Sequence, residues 1–309
     1  MKHPDDGILL VDKAEGETSH GVVKKVRFAL RQGKRYKVGH AGTLDPFATG
    51  LLVVLLGQGT KLSRFIMAGE KEYLATLELG VETDTLDPTG TVTAIRDVPK
   101  LSLDHIQETA KRYEGRIRQT PPAYSAVKHQ GLRAYTLARK GISVNLKERT
   151  VTVHSISIVS VDLPHVTMRI RCGSGTYIRS LAADLAKDLG SVGRLKTLRR
   201  LKSGTFDVKE AISSEAILPE ALVSILEKGM PLRNALPGMG EIDVDAMLAE
   251  KVRQGYQPCW DELFPIVAPV QNDQEIFIKL ISGEKLLAIA KKNDGGGGHE
   301  KVKFERVFS

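Results

Sequence analysis

Cysteine is scarce in this 309-residue chain, which has only Cys172 and Cys259. Neither sits at a metal-ligand or redox spacing, and a chain this long needs no disulfide staple. A fold built on disulfides is therefore excluded, and both thiols are expected as packing residues in a reducing compartment. Long apolar runs are lacking as well. The longest, Leu51 to Leu56, is far too short to cross a bilayer. The N-terminal MKHPDDGILLVDK has acids beside its base and an apolar run of only ILLV, so neither a signal peptide nor a membrane anchor is expected, and the cytoplasm is the expected location. No zinc motif, glycine-rich phosphate loop or internal repeat occurs, which leaves nucleotide-binding and repeat architectures without support.

The composition is that of a globular protein, 41% hydrophobic and 27% charged. Its length predicts two domains. Lys and Arg number 45 against 37 Asp and Glu, a formal charge of +8. That balance fits a polyanionic partner such as a nucleic acid, and it fits equally a surface charged only for solubility.

GILLVDK (7–13) reads as a buried strand, followed by a helix over TSHGVVKKVRFAL with Thr18 or Ser19 as its cap. GLLVVLLG (50–57) suits a central strand, and a short helix TKLSRFIM follows. KEYLATLELG (71–80) alternates, with Tyr73, Ala75, Leu77 and Leu79 on one face. Residues 101–115 form a helix capped by Ser102, with Leu103, Ile106, Ala110 and Tyr113 on its buried side. QTPPAYSAVKHQG (119–131) is a surface loop, LRAYTLARKG a helix, and 143–171 β-rich. GSGTYIRSLAADLAKDLG (173–190) is a strand-to-helix turn and a helix ended by Gly190. Residues 211–230 read as helical. Beyond ALPGMGEID the pattern changes to one helix, VDAMLAEKVRQG, and the short β-like runs FPIVAPV, EIFIKLIS, KLLAIAKK and KVKFERVF, with NDGGGGHE as a loop. A boundary near residue 238 and a small barrel or sandwich after it are expected.

The tetrapeptide Thr-Leu-Asp-Pro occurs at 43–46 and again at 85–88. Asp-Pro starts turns well. The second copy lies between two strand-like runs and ends in Gly90, so Asp87 is expected to be a hairpin turn residue. The first copy is surrounded by Gly39, Ala41, Gly42, Ala48 and Gly50, which permit close approach of a ligand or another backbone. Asp45 is therefore either a chemical group on a rigid support or a structural turn residue. GRLKTLRRLK is rich in base: five of the nine residues 194–202 are Lys or Arg and three are Leu. It is either an amphipathic segment with a solvated basic face or part of a phosphate-tracking groove.

GHAGTLDPFATGLL (39–52) resembles the catalytic motif of the bacterial tRNA pseudouridine-55 synthases, the TruB family. The resemblance runs in order through DKAEGETS (12–19), KEYLATLELG with TDT, PPAYSAVKHQG, GTYIRSLAADL (175–185) and LRRL (198–201). More loosely, it reaches the C-terminal segment, which resembles a PUA-type RNA-binding domain. One departure is Ala14, where the family usually has proline after the lysine.

The resemblance implies an α+β fold: a mixed, largely antiparallel sheet with flanking helices over residues 1–238, carrying an RNA-gripping insert at about 119–150, and a PUA-like domain over 239–309. It implies isomerisation of uridine to pseudouridine at position 55 in the T-loop of tRNA, which adds no atoms or electrons and so needs no redox cofactor, ATP or metal. It assigns Asp45 as the nucleophile, acting at C1′, at C6 or on a sugar proton. Arg179 is set against that carboxylate, and Tyr73 stacks on the base and takes part in removing the C5 proton. Tyr177 touches the substrate, Leu198 forms the apolar side of the uracil pocket, and His40 lies near the flipped-out nucleotide. Beside such a site Arg194, Lys196, Arg199, Arg200 and Lys202, with Lys128, His129 and Arg133 in the insert, are expected to track phosphates. The tRNA T-arm is the expected partner of a monomer with no obligate protein partner. A tRNA-folding chaperone with secondary or no catalysis is the alternative, and intact Asp45, Tyr73 and Arg179 speak against it. A nucleoside hydrolase would need a second acid paired with Asp45, and the sequence supplies none.

Overall fold

The run Leu51 to Leu56 is apolar throughout because its strand is covered on both faces. The computed structural model describes residues 6–30, 37–125, 127–129, 131–138, 140–142, 144, 146–218, 227–263, 276–292 and 301–308. In it, strand β1 (Gly7–Lys13) leads into helix α1 (Ser19–Ala29), where the Thr18 side chain accepts the Gly21 amide as N-cap. A short strand β2 (Val38–His40) and β3 (Thr49–Leu56) follow, and β3 pairs antiparallel with both β1 and β2. Leu9, Val11, Leu52, Val54 and Leu56 pack with Val22, Val23 and Val26 of α1. The alternate residues Ile8, Leu10, Leu51, Val53 and Leu55 pack against Ile281, Leu286, Ile289 and Phe308 from the C-terminal part. Burial on both faces is what replaces alternation by a continuous apolar run.

After the short helix α2 (Ser63–Ala68) comes β4 (Lys71–Leu79), whose alternation puts Lys71, Tyr73, Ala75, Leu77 and Leu79 inside. Strands β5 (Val81–Thr83) and β6 (Val92–Ile95) form a hairpin around the second TLDP. Helix α3 (Leu103–Lys111) starts at Ser102, which accepts the His105 amide, and buries Ile106, Thr109 and Ala110. Leu103 was expected inside but is half exposed: it is the first residue of the helix, beyond the core's edge. Strand β7 (Gly115–Gln119), the hairpin β8 (Lys128–His129) and β9 (Leu132–Arg133), and helix α4 (Ala134–Ala138) lead to the long pair β10 (Arg149–Asp162) and β11 (His165–Cys172). Helix α5 (Ile178–Asp188) and β12 (Gly193–Ser203) complete the frame, with β13 (Phe206–Asp207) paired to β12.

The predicted helix over 211–230 is not formed at its start. Ile212 and Ser213 form β14, parallel to β1 with Ile212 opposite Val11, and Ser214 to Ala216 make a 3-10 turn. The free edge of β1 recruits them, and tertiary pairing overrides the local pattern. Residues 219–226 of that stretch lie outside the described residues.

The sheet order is β14-β1-β3-β12-β4-β11-β10-β7, with only the β1–β14 and β3–β12 pairs parallel. Strand β12 is therefore central, so the basic stretch 194–202 does not lie free on the surface. Beyond residue 238 a second sheet has the order β15 (Gly240–Asp243), β16 (Ile276–Ser282), β17 (Lys285–Lys292), β18 (Lys303–Val307). It has a core of its own around Trp260, Leu280, Leu287, Ala288 and Val302, joined by Ala249 and Val252 of the helix Ala246–Arg253. Strand β15 was not expected; GEID is too short and too acidic to show a strand pattern. FPIVAPV and NDGGGGHE lie outside the described residues.

Candidate active site

The loop between β2 and β3 carries Asp45, and three buried polar side chains hold it. Ser19, at the start of α1, donates from Oγ to the Leu44 carbonyl at 2.9 Å and accepts the Leu44 amide at 2.8 Å. Lys13, fully buried at the end of β1, donates to the carbonyls of Ala14 (2.9 Å), Glu17 (2.7 Å) and Pro46 (3.2 Å). Burial pushes its ammonium down to about 8. Arg200, from β12, donates to the carbonyls of Leu51 (2.7 Å), Gly42 (3.1 Å) and Thr43 (3.4 Å). Gly50 permits this approach: it has φ +98°, and a Cβ there would meet the Arg200 carbonyl oxygen at 2.3 Å.

Both TLDP copies close a turn on the aspartate carbonyl, from the Ala48 amide at 3.1 Å and the Gly90 amide at 3.5 Å, but they enter it differently, Leu86 having a φ of +59° that Leu44 does not share. Their side chains differ. Asp87 Oδ1 accepts from Thr85 Oγ1 (2.7 Å), the Thr89 amide (3.0 Å) and Thr89 Oγ1 (2.6 Å), so it braces its own turn as expected. Gly90 has to be glycine, since a Cβ would collide with Asp84 and Thr85 side-chain oxygens at 2.3 Å. Asp87 is also more than a turn residue. Its Oδ2 faces Arg179 Nη1 at 3.4 Å, while Arg179 Nε meets Asp45 Oδ2 at 2.9 Å. The guanidinium further donates to the carbonyls of Thr85 (2.7 Å) and Tyr124 (2.8 Å). One buried arginine thus joins both copies of the tetrapeptide to the PPAYS loop. A cation near a helix N-terminus is disfavoured by the helix dipole, and two carboxylates offset that here.

Burial pushes the Asp45 carboxyl above the usual carboxylate range; the Arg179 charge pulls it back and Asp87 pushes it up again. The Arg179 charge thus offsets only part of the cost of burial. The Asp45 side chain stays 34% exposed, open to a cavity of about 290 Å³, whereas Asp87 is closed off at 6%. Tyr73, Leu198, Tyr177 and Lys71 line the same cavity. Tyr73 arrives from β4 and Leu198 from β12, next but one along the shared face. Tyr177 caps the start of α5, where its backbone is clasped by the Gln119 side chain (2.8 and 3.0 Å) and its ring faces the Arg149 guanidinium at 5.7 Å. Burial pushes the Tyr73 hydroxyl up, and the Lys71 ammonium down to about 8. The result is a small pocket with one accessible carboxylate, an aromatic wall and a leucine. Such a site can hold a flat polar ring against an anionic oxygen. Among the described residues no cluster of His, Cys, Asp or Glu could hold a metal ion.

Other expected contacts are placed differently. His40 on β2 does not line this cavity; burial lowers its proton affinity, and its Nδ1 is buried without a hydrogen-bond partner. Arg200 cannot touch a phosphate, being 1% exposed. Arg199 is engaged by Asp12 through both terminal nitrogens (2.9 and 2.6 Å), and Arg194 by Glu78 at 2.8 Å. A central strand pairs its charges with neighbouring strands, which leaves Lys196 and Lys202 as the exposed ones, Lys202 lying 3.7 Å from Asp207. The side chains of Lys128, His129 and Arg133 lie outside the described residues. Lys13, Ser19, Lys71, Asp87 and the structural role of Arg200 were not read as site features. The doubled tetrapeptide was the one available signal, for Asp87.

Residues 28–178 match the model for the TruB family pseudouridylate synthase N-terminal domain. The chain is 41% identical over 287 residues to the tRNA pseudouridine synthase B of Syntrophus aciditrophicus, covering 93% of this chain and 91% of that relative. It is 40% identical over 289 residues to the enzyme of the same name from Clostridium kluyveri, covering 94% and 96%. Among solved structures, a chain in the crystal structure of a Cbf5-Nop10-Gar1 complex superposes with a TM-score of 0.75 at 24% identity, covering 99% of this chain and 86% of that one, a likeness of fold. The chain belongs to the TruB family of pseudouridylate synthases.

Proposed function

We propose that this pseudouridine synthase converts the uridine at position 55 in the T-loop of tRNA, with Asp45 as the nucleophile. The observation that carries the reading is the pairing of Asp45 Oδ2 with Arg179 Nε at 2.9 Å at the edge of the Tyr73 and Leu198 pocket. A carboxylate made more basic by burial, held ionised by a guanidinium and open on one side, suits attack on an electrophilic carbon of a bound nucleotide. Asp87 does not supply the second acid that hydrolysis requires, because it is buried behind Arg179 and does not line the cavity. The relatives' name, tRNA pseudouridine synthase B, supports tRNA as the RNA.

Isomerisation breaks the N1–C1′ bond, turns the uracil within the pocket and joins C5 to C1′. The wall formed by Tyr73 and Leu198 would keep the base bound while it turns, and flipping it out costs on the order of a few kcal/mol, which stacking must offset. In this proposal Tyr73 stacks on the base and takes part in removing the C5 proton, and Tyr177 contacts the nucleotide. The proposed division is a catalytic domain over 1–238 and a PUA-like RNA-binding domain over 239–309, in keeping with the separate sheet and core beyond residue 238. A monomer in the cytoplasm is part of the same proposal. Among the described residues no helix is long and apolar enough to cross a membrane.

The test is incubation of the purified protein with unmodified tRNA and mapping of pseudouridine by position. Product at the T-loop uridine, with Asp45→Asn folded, binding tRNA and inactive, is the expected outcome. Unchanged RNA bound tightly by the wild-type protein would instead favour a folding chaperone.

A further inference from the structure

We propose that Arg200 is a positioning residue of the reaction, fixing the Tyr73 side chain and the Asp45 loop relative to each other. This rests on the assignment of Asp45 and Tyr73 to the chemistry. Arg200 and Tyr73 face each other across the antiparallel β4–β12 ladder, both buried on the cavity side of the sheet. Directly opposed side chains in such a pair are close neighbours. From the opposed position the Arg200 charge favours the ionised form of the Tyr73 hydroxyl, against the burial that opposes it. The same group is bonded to the carbonyls of Gly42 and Thr43, three and two residues before Asp45, and to Leu51 at the start of the buried stretch of β3.

Each feature has a consequence. The three carbonyl bonds span two elements, so the guanidinium cannot shift without moving the catalytic loop against β3. Gly50, with φ +98°, lets the β3 backbone run against the Arg200 backbone, a contact a side chain would block. An arginine with no exposed surface is desolvated, so its interactions inside are strong and its loss is felt locally. Lys13 and Ser19 hold the loop from the side of β1 and α1. Arg200 is the member of this set that also reaches the tyrosine. Its neighbour Arg199, identical in type, is only partly buried and salt-bridged to Asp12, so it serves as the internal comparison.

The experiment uses the full chain and unmodified tRNA, under single-turnover conditions with enzyme in excess. Arg200→Gln and Arg200→Lys are made alone and with Tyr73→Phe, alongside Arg199→Gln. Thermal melts and tRNA affinity at two salt concentrations are measured for each. We expect Arg200→Gln to slow conversion about ten- to hundredfold, the scale of a misplaced catalytic group, with affinity and its salt dependence unchanged. Arg200→Lys, which keeps the charge, should recover part of the rate. In the Tyr73→Phe background Arg200→Gln should cost less than in wild type, because part of what it disturbs is already gone. If Tyr73 must be ionised to take the C5 proton, the limb on which the rate rises with pH should move to higher pH in Arg200→Gln, since a charge that favours the phenolate is lost.

A folded Arg200→Gln protein at the wild-type rate overturns the proposal, as does an equal cost in both tyrosine backgrounds. So does a fall in affinity and salt slope with an unchanged rate, which would make Arg200 a phosphate contact. Should Arg200→Gln melt far below wild type, the Lys variant is carried through the same cycle and judged by the same outcomes. Asp45→Asn on the same tRNA separates the two levels. If it turns over at the wild-type rate, the underlying assignment fails; if it is inactive while Arg200→Gln is unaffected, only the role of Arg200 does.

Discussion

Replacing Asp87 by Asn separates the two jobs that the structure gives this residue. Oδ1 carries all three turn contacts, from Thr85 Oγ1, the Thr89 amide and Thr89 Oγ1. Oδ2 alone faces Arg179. An Asn oriented by the turn keeps its oxygen at Oδ1 and turns its NH₂ toward the guanidinium, donor against donor. The turn should survive and the ion pair should not. Arg179 keeps Asp45 and two carbonyls, so it is not left unpaired, and the full penalty for breaking a buried pair does not apply. A hydrogen bond to a charged group contributes about 1.5–3 kcal/mol, and at 3.4 Å this one belongs at the low end. About 1.5 kcal/mol felt at Asp45 corresponds to a roughly tenfold slower chemical step. A second consequence has an independent sign. The Asp87 charge raises the proton affinity of Asp45. Removing it lets Asp45 ionise at lower pH, so the acid limb of the rate profile should move down while the plateau falls. Single-turnover rates from pH 4.5 to 8, with melts and tRNA affinity as controls, measure both. A folded variant with a wild-type plateau, or an acid limb that moves up, refutes the reasoning.

At Tyr73, Phe keeps the ring and Leu removes it; if only stacking matters, Tyr73→Phe should work nearly as well as wild type and Tyr73→Leu should fail. A Phe variant that breaks the glycosidic bond but stalls before product would show proton transfer by the hydroxyl. Affinity for tRNA should fall as salt rises, and substituting the exposed Lys196 and Lys202 together by alanine should reduce the slope by about one unit per lost phosphate contact; an unchanged slope takes both out of the RNA interface. Burial holds the Lys13 and Lys71 ammonium groups near 8, below the ordinary lysine value, so between about pH 8 and 10 the unfolded chain binds more protons and stability rises with pH. Melting temperatures across that window should show a smaller rise in Lys13→Met than in wild type, and an equal rise would mean that Lys13 does not titrate there.

The elements that could be read in the sequence are those whose cause is local. Thr18 and Ser102 accept the amides of the helices they precede, and the alternation of β4 sets which residues are inside before any partner strand is known. Failures occurred where a distant partner decides the outcome. Ile212 and Ser213 pair with β1 across some 200 residues of chain, so a helical pattern gives way. The stretch 194–202 is dense in charge and was expected to track phosphates; as a central strand it distributes its charges between Asp12, Glu78 and the buried position of Arg200. No periodic signal separates Arg199 from Arg200, although one is a surface ion pair and the other a hub of the site.

The repeated tetrapeptide shows why. Local sequence favours a turn at the aspartate, and both copies close one on its carbonyl, although only Leu86 enters it with a positive φ. Whether the aspartate side chain folds back onto that turn or points away depends on hydroxyl neighbours. Thr85 and Thr89 occupy Oδ1 of Asp87; the first copy keeps the matching Thr43 but has Phe47 where the second has Thr89, so that hydroxyl is missing and the carboxylate faces Arg179 and the cavity. The apolar residues after Pro46 are thus part of what makes Asp45 reactive: they deny it a local partner, and burial among them raises its basicity. A hydroxyl placed where Thr89 stands in the other copy, as in Phe47→Thr, should draw Asp45 toward its own turn. We expect a slower chemical step with unchanged tRNA affinity and, because a hydrogen bond stabilises the ionised carboxylate, an acid limb displaced to lower pH. A folded Phe47→Thr protein with both the wild-type rate and the wild-type limb would show that the carboxylate is held by Arg179 alone.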